Sequence, residues 1–219
     1  VCFAMPIGVK GCELGPFATN GYVLRDEAAG DRSCWVVDCP YEPAEMIEWM
    51  RGAGLTPSKM LLTHAHCDHI GGLHEFRRVF GRVPVLLHPA EHAWLDDPML
   101  NLSAMLGEPV SVGTPDGELV SGTELRLGGH TFEVRHTPGH SPGGVALVCA
   151  GEGLAMVGDT LFAGSVGRSD FPGSDGRTLL RSIREHILTL PDGMTIYPGH
   201  GPATTVARER ASNPFLRTR

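Results

Sequence analysis

Met60-Leu61-Leu62-Thr63-His64-Ala65-His66-Cys67-Asp68-His69 joins an apolar run directly to four side chains of metal-ligand type. Met60–Thr63 predicts a buried strand, and Gly71-Gly72 just downstream predicts the start of a helix over Gly72–Phe80. Strand residues two apart point to the same side, so His64 and His66 face one point in space. His69 breaks that alternation, and the chain must turn near Cys67–Asp68 to bring it inward. In a chain of this composition the four-residue pattern arises by chance on the order of once in a thousand.

Working outward, three more ligand types stand at strand ends. His140 lies in Thr137-Pro138-Gly139-His140-Ser141-Pro142-Gly143-Gly144, a run made almost wholly of turn formers. Asp159 closes the apolar stretch Leu154–Gly158, and His200 sits in Pro198-Gly199-His200-Gly201-Pro202 after another. Loops at strand ends are where side chains converge on a shared site. One zinc site takes four protein ligands, or three when catalytic. Five His and two Asp therefore suit two divalent ions sharing a carboxylate. His74, His88, His92, His130, His136 and His186 read as ordinary surface or core histidines, and Cys67 as a small packing residue.

Further elements follow from the same patterning. Strands are predicted at Phe3–Ile7, Gly21–Arg25, Ser33–Asp38 and Pro84–His88. In the second half they fall at Glu124–Leu127, Thr131–His136, Val145–Cys149, Leu154–Val157 and Met194–Tyr197, with a Gly128-Gly129 turn between the first two. Helices are predicted at Pro43–Ala53, Pro89–Leu95 and Arg177–Leu190, the last with Leu179, Leu180, Ile183, Ile187 and Leu190 at helical spacing. Leu95–Gly117 predicts a short helix plus a surface loop. No linker divides the halves, so residues 1–219 predict one domain of two sheets covered by helices.

Composition narrows the function classes. The 219 residues carry 18 basic and 25 acidic side chains, a net charge of −7 without a basic tract, which disfavours nucleic acid as a partner. Apolar residues at 42% fit a globular core, and 29 Gly with 17 Pro make the chain loop-rich without low complexity. The longest apolar run, Val145–Ala150, is far short of the roughly 18 residues of a membrane span. Val1–Val9 has no charged n-region and predicts no secretory signal. Six cysteines without CxxC spacing predict free thiols in a reducing cytoplasm.

Together THAHCDH (Thr63–His69), TPGHSPGG (Thr137–Gly144), GDTLF (Gly158–Phe162) and YPGHGP (Tyr197–Pro202) resemble the metallo-β-lactamase-fold hydrolases, in the family's order. FATNGYVL (Phe17–Leu24), GSVGRSDFPGSD (Gly164–Asp175) and RERASNPF (Arg208–Phe215) are similar to its short glyoxalase II-like branch. The resemblance implies an αββα sandwich, two mixed sheets flanked by helices with the metals along one edge. It implies that His64, His66 and His140 hold a first metal, Asp68, His69 and His200 a second, and that Asp159 bridges them. Zinc is the expected metal, with iron or manganese also compatible with His/Asp ligands. An aspartate rather than a cysteine at position 159 points away from true β-lactamases.

The implied reaction is hydrolysis of a small acyl thioester by hydroxide formed between the metals, with Asp68 and Asp159 as catalytic ligands. Arg168 resembles a substrate-binding arginine, placed to grip a carboxylate. The chain ends before the helical domain that supplies glutathione contacts in longer glyoxalase II enzymes. The alternative on the same fold is a persulfide dioxygenase, using one iron on His64, His140 and Asp159. GRSDF (Gly167–Phe171) resembles that branch, whereas YPGHGP favours the hydrolase.

Overall fold

Residues 6–217 are described by a computed structural model. β1 (Ile7–Leu14), β2 (Thr19–Asp26), β3 (Ser33–Val37), β4 (Thr56–Leu61), β5 (Val85–Leu87) and β6 (Gly117–Glu118) lie in chain order in one six-stranded sheet. β1 to β3 pair antiparallel and β3 to β6 parallel. Parallel neighbours require crossovers. α1 (Ala44–Gly52) crosses from β3 to β4, and α2 (Cys67–Ile70) with α3 (Leu73–Phe80) from β4 to β5.

The second half builds β7 (Glu124–Leu127), β8 (His130–His136), β9 (Val145–Cys149) and β10 (Leu154–Gly158). A small hairpin of β11 (Leu161–Phe162) and β12 (Ser165–Val166) follows, then α4 (Gly176–Ser182), β13 (Thr195–Pro198), β14 (Thr204–Thr205) and α5 (Val206–Ser212). The second sheet runs β14-β13-β10-β9-β8-β7, with β10 and β13 parallel and the rest antiparallel. Two mixed sheets with flanking helices are the expected architecture.

Alternation along the strands sorts the core into three layers. Trp35, Val37 and Leu61 of the first sheet meet Phe132, Val134, Leu147 and Met156 of the second. The Trp35 and Phe132 ring centroids are 5.4 Å apart across that interface. Their neighbours Cys34, Val36 and Met60 point the other way, onto Met46, Met50 and Phe76 of α1 and α3. Val148, Ala155, Val157 and Ile196 face Leu179, Ile183 and Val206 on the outer side of the second sheet. Both sheets are therefore buried on both faces, and the ends of their strands are left to carry loops.

Several expectations shift in detail. Of the strand expected at Phe3–Ile7, residues before 6 lie outside the described residues, and β1 runs over Ile7–Leu14 as an edge strand with Ile7, Cys12 and Leu14 buried. Such an edge buries few side chains, which hides it from apolar patterning. The helix expected at Arg177–Leu190 is α4 followed by a wider π turn over Ile183–Ile187, closed by a 2.8 Å bond from Leu188 N to Ile183 O. That turn keeps both Ile183 and Ile187 on the sheet. Val79, apolar but in the last turn of α3 before Gly81, is exposed. Cys12, Cys34, Cys39, Cys67 and Cys149 are free and buried. Among the described residues no helix is long and apolar enough to cross a membrane.

Candidate metal centre

β4 delivers His64 to the end of the first sheet, and the single turn of α2 swings Asp68 and His69 back beside it. The loop after β8 brings His140, β10 ends at Asp159, and β13 ends just before His200. Three overlapping groups result: His64, His66 and His140; His64, His69 and Asp159; Asp68, His69 and His200. Within each group one potential ligand atom per residue lies within 4.8 Å of the others. Glycine permits this crowding at two points. Gly158 has φ of +48°, and a Cβ there would enter Thr63. A Cβ on Gly199 would overlap Asp159 Oδ1 and press on His69.

Outer partners fix which ring nitrogen faces inward. His69 Nδ1 donates to Asp38 Oδ2 at 2.8 Å, and His140 Nδ1 to the Arg168 carbonyl at 2.8 Å. Thr63 Oγ1 donates to Asp38 Oδ2 at 2.7 Å, so it accepts from His64 Nδ1 at 3.1 Å. His200 Nδ1 donates to the Phe17 carbonyl at 3.2 Å. Each of these four rings thereby turns Nε2 toward the cluster, the arrangement that orients histidines around a metal. His66 instead turns Nδ1 toward His140 Nε2, 2.9 Å away.

The electrostatics divide the cluster. Burial, with His69 beside it, holds His64 well below its ordinary value. Burial and His140 bring His66 down to about 3. Both rings are neutral and keep a lone pair. His69 goes the other way: burial opposes its charge, but Asp68, Asp159 and Asp38 raise it well above the ordinary value. Burial pulls Asp68 and Asp159 upward, but His69 and His200, joined by Thr19 at Asp68 and by His140 at Asp159, together outweigh it and leave both low. His64 Nε2, His69 Nε2 and Asp159 Oδ1 are buried without a hydrogen bond. Orphaned polar atoms of this kind are costly, and a cation accepting their lone pairs removes the cost. The donor set fits divalent metal.

A cavity of about 360 Å³ opens over this cluster, with His66, Asp68, His140, Asp159 and His200 at its floor. Its walls are apolar: Phe17, Phe162 and Phe171, and Leu102, Met105 and Leu106 from the loop segment within Leu95–Gly117. Arg168 stands at the cavity, but its guanidinium is already engaged. Nε and Nη2 donate to the two Asp170 carboxylate oxygens at 2.9 and 2.8 Å, and the group lies 4.2 Å from the Phe171 ring centre.

A family model described as the metallo-beta-lactamase superfamily matches residues 14–200. The chain belongs to that superfamily. Among curated relatives, "Probable metallo-hydrolase YqgX" of Bacillus subtilis is 42% identical over 93% of the chain and 94% of the relative. "Hydroxyacylglutathione hydrolase GloC" of Haemophilus influenzae is 34% identical over 93% and 95%. Among solved structures, BLEG-1, described as a B3 metallo-beta-lactamase, has a TM-score of 0.90 at 42% identity, covering 96% of this chain and all of that one. TTHA1623, described in a di-iron-bound form, has a TM-score of 0.83 at 36% identity over 95% and 100%.

The seven residues singled out by sequence come together in this metallo-beta-lactamase fold, on supporting side chains to which the sequence reading gave no role. Asp38 accepts from Thr63 N and Oγ1 and from His69 while holding a left-handed φ of +59°. Its position at the end of an apolar strand, like that of Asp159, was the one available clue. Glu91 is fully buried and joins two ligand loops, taking 2.6 Å bonds from Ala65 N and Gly143 N; burial pushes it up to about 7. Thr19 Oγ1 donates to Asp68 Oδ2 at 2.9 Å. Asn20 and Tyr22 of β2 bind the carbonyls of Pro198 and Gly201 on either side of His200, linking the two sheets.

Proposed function

We propose that the chain is a binuclear metallohydrolase that cleaves acyl thioesters. His64, His66 and His140 would hold one ion, Asp68, His69 and His200 the other, and Asp159 would serve both. Divalent ions in such a site supply Lewis acidity, lowering the pKa of water to about 7 and polarising a carbonyl. The observation that carries this reading is the set of inward-facing Nε2 atoms on buried rings, each fixed by an outer partner.

The remaining chemistry belongs to the chain's own groups. Thr19 Oγ1 pins Asp68 at the cavity floor, where its carboxylate accepts a hydrogen bond from the attacking water and orients it. The apolar walls exclude bulk water, which strengthens these charge interactions. A thiolate is a good leaving group, so no strong general acid is demanded, and none is needed to complete the site. The GloC relative, named as a hydroxyacylglutathione hydrolase, supports thioester over other acyl substrates.

Elemental analysis of purified protein, paired with hydrolysis of S-lactoylglutathione and S-acetyl-N-acetylcysteamine, tests the reading. About two zinc-, iron- or manganese-type ions per chain with thiol release support it. One iron with oxygen uptake on glutathione persulfide replaces it with the dioxygenase. The description of BLEG-1 as a B3 metallo-beta-lactamase favours β-lactam hydrolysis as the second reading. Turnover of a chromogenic cephalosporin exceeding that of every thioester would establish it.

A further inference from the structure

Three of the large apolar side chains that stand exposed among the described residues are gathered around this one cavity: Phe17 at 42%, Met105 at 73% and Leu106 at 46%. Apolar surface concentrated in this way marks a binding surface rather than scatter. Met105 and Leu106 belong to a short 3-10 turn over Ser103–Leu106, entered through Leu102, which holds a left-handed φ of +71°. A branched side chain in that region is strained, and such strain persists where the surroundings enforce it.

The surroundings do enforce it. Asn101 is fully buried; its Nδ2 donates to the Trp94 and Val110 carbonyls at 2.9 Å each, and its Oδ1 accepts from Ser103 N at 3.0 Å. Its own carbonyl accepts a 2.8 Å bond from Cys67 N, inside the ligand motif. The apolar turn is therefore anchored to the backbone that carries His66 and Asp68, and its distance from the reaction centre is set by the fold.

Charge points the same way. The cation lining the cavity, Arg168, is paired with Asp170, so a substrate carboxylate would have to displace an intramolecular partner.

Building on the thioesterase reading, we propose that this site takes thioesters with an apolar, uncharged acyl chain of medium length, which packs on Leu102, Met105 and Leu106. Water adds across the acyl C–S bond: the new C–O bond gives a carboxylic acid, the C–S bond breaks, and the sulfur leaves as thiol with the remaining proton.

The test is a series of acetyl, butyryl, hexanoyl and octanoyl thioesters on the neutral thiol N-acetylcysteamine, with succinyl thioester and S-lactoylglutathione as charged comparisons. Burial on a half-exposed wall is expected to raise kcat/KM roughly twofold to fourfold per methylene, from the transfer free energy of a CH₂ group. The succinyl compound should fall below the butyryl one. Met105→Ser with Leu106→Ser should flatten the series, reducing the octanoyl-to-acetyl ratio at least fivefold. Both side chains are substantially exposed, so the double variant retains the fold.

A flat or falling series, or preference for the succinyl compound or S-lactoylglutathione, overturns the proposal while leaving thioester hydrolysis intact. Hydrolysis of no thioester overturns the thioesterase reading instead. Binding of the matching S-alkyl thioethers by calorimetry then decides the proposal separately: affinity rising with chain length upholds it, and affinity independent of chain length ends it.

Discussion

His69 Nδ1 donates to Asp38 Oδ2 at 2.8 Å with both side chains buried, so a ligand-type ring on the α2 turn is aimed by a carboxylate at the end of β3. Asp38→Asn keeps the shape and removes the charge. It should weaken metal binding at Asp68, His69 and His200 by about 10- to 100-fold, the usual effect of losing an outer partner. The His64, His66 and His140 group should change far less. Chelator-competition titration with zinc reads both steps, and unchanged affinity at both would remove Asp38 from the site's design.

Asp159 lies 3.3 Å from His69 Nε2 and 3.4 Å from His140 Nε2, between the two histidine groups. Asp159→Ala should lower metal content per chain and thioester turnover together, the latter by about 100-fold or more. Mass spectrometry of metal content beside initial rates checks this. Full turnover in the metal-poor variant would contradict a metal-dependent reaction.

Gly199 approaches Asp159 and His69 too closely to carry a side chain. Gly199→Ala should cost about 1–3 kcal/mol through overpacking and displace the Asp159 carboxylate. A lowered midpoint in urea together with reduced metal content is the expected result. Normal metal content would show that the loop can yield without disturbing the cluster.

Glu91 Oε2 and Oε1 take the backbone N–H groups of Ala65 and Gly143, holding the first histidine loop to the His140 loop. Glu91→Gln sets an amide N–H against one of those donors, an arrangement costing about 1–3 kcal/mol when buried. Thermal unfolding should show a drop of about 2–4 °C for each kcal/mol lost. An unchanged midpoint would mean that the two loops are held by other contacts.

Asp116 gives a pH dependence remote from the cluster. The Val85 N–H, followed by Arg82, holds its carboxyl below the usual 3.8. A lowered native value favours the carboxylate in the folded state, so its stabilisation is present above about pH 4 and disappears as pH falls through the lowered value. Asp116→Asn should therefore be less stable than the parent at pH 7 and converge with it in acid. Parallel stability curves across that range would deny the linkage.

Sequence and tertiary structure contributed different parts of this site. His64, His66, Asp68 and His69 are legible because their spacing is local and follows a buried strand. His140, Asp159 and His200 are legible because each ends or follows an apolar strand in a glycine- or proline-rich loop. Both sheets are also legible, since their inner strands are buried on both faces and read as apolar runs. The edge strand β1 and the short helix α5 are not. α5 turns Val206 and Glu209 inward, and the buried Glu209 carboxylate is satisfied by Thr204 Oγ1, Gly164 N and Asn213 Nδ2.

The chain's letters by themselves determined the inner strands, most of the helices that cover them and the seven side chains at their ends, because periodicity and spacing are properties of neighbouring residues. Only the tertiary structure decided what aims those side chains. Asp38 reaches His69 across 31 positions and Glu91 reaches Gly143 across 52. Arg168 supports His140 through its backbone carbonyl while its guanidinium stays with Asp170. A hydrogen bond depends on distance and angle to within a fraction of an ångström. No local pattern encodes that for residues so far apart, and only the packing of the two sheets supplies it.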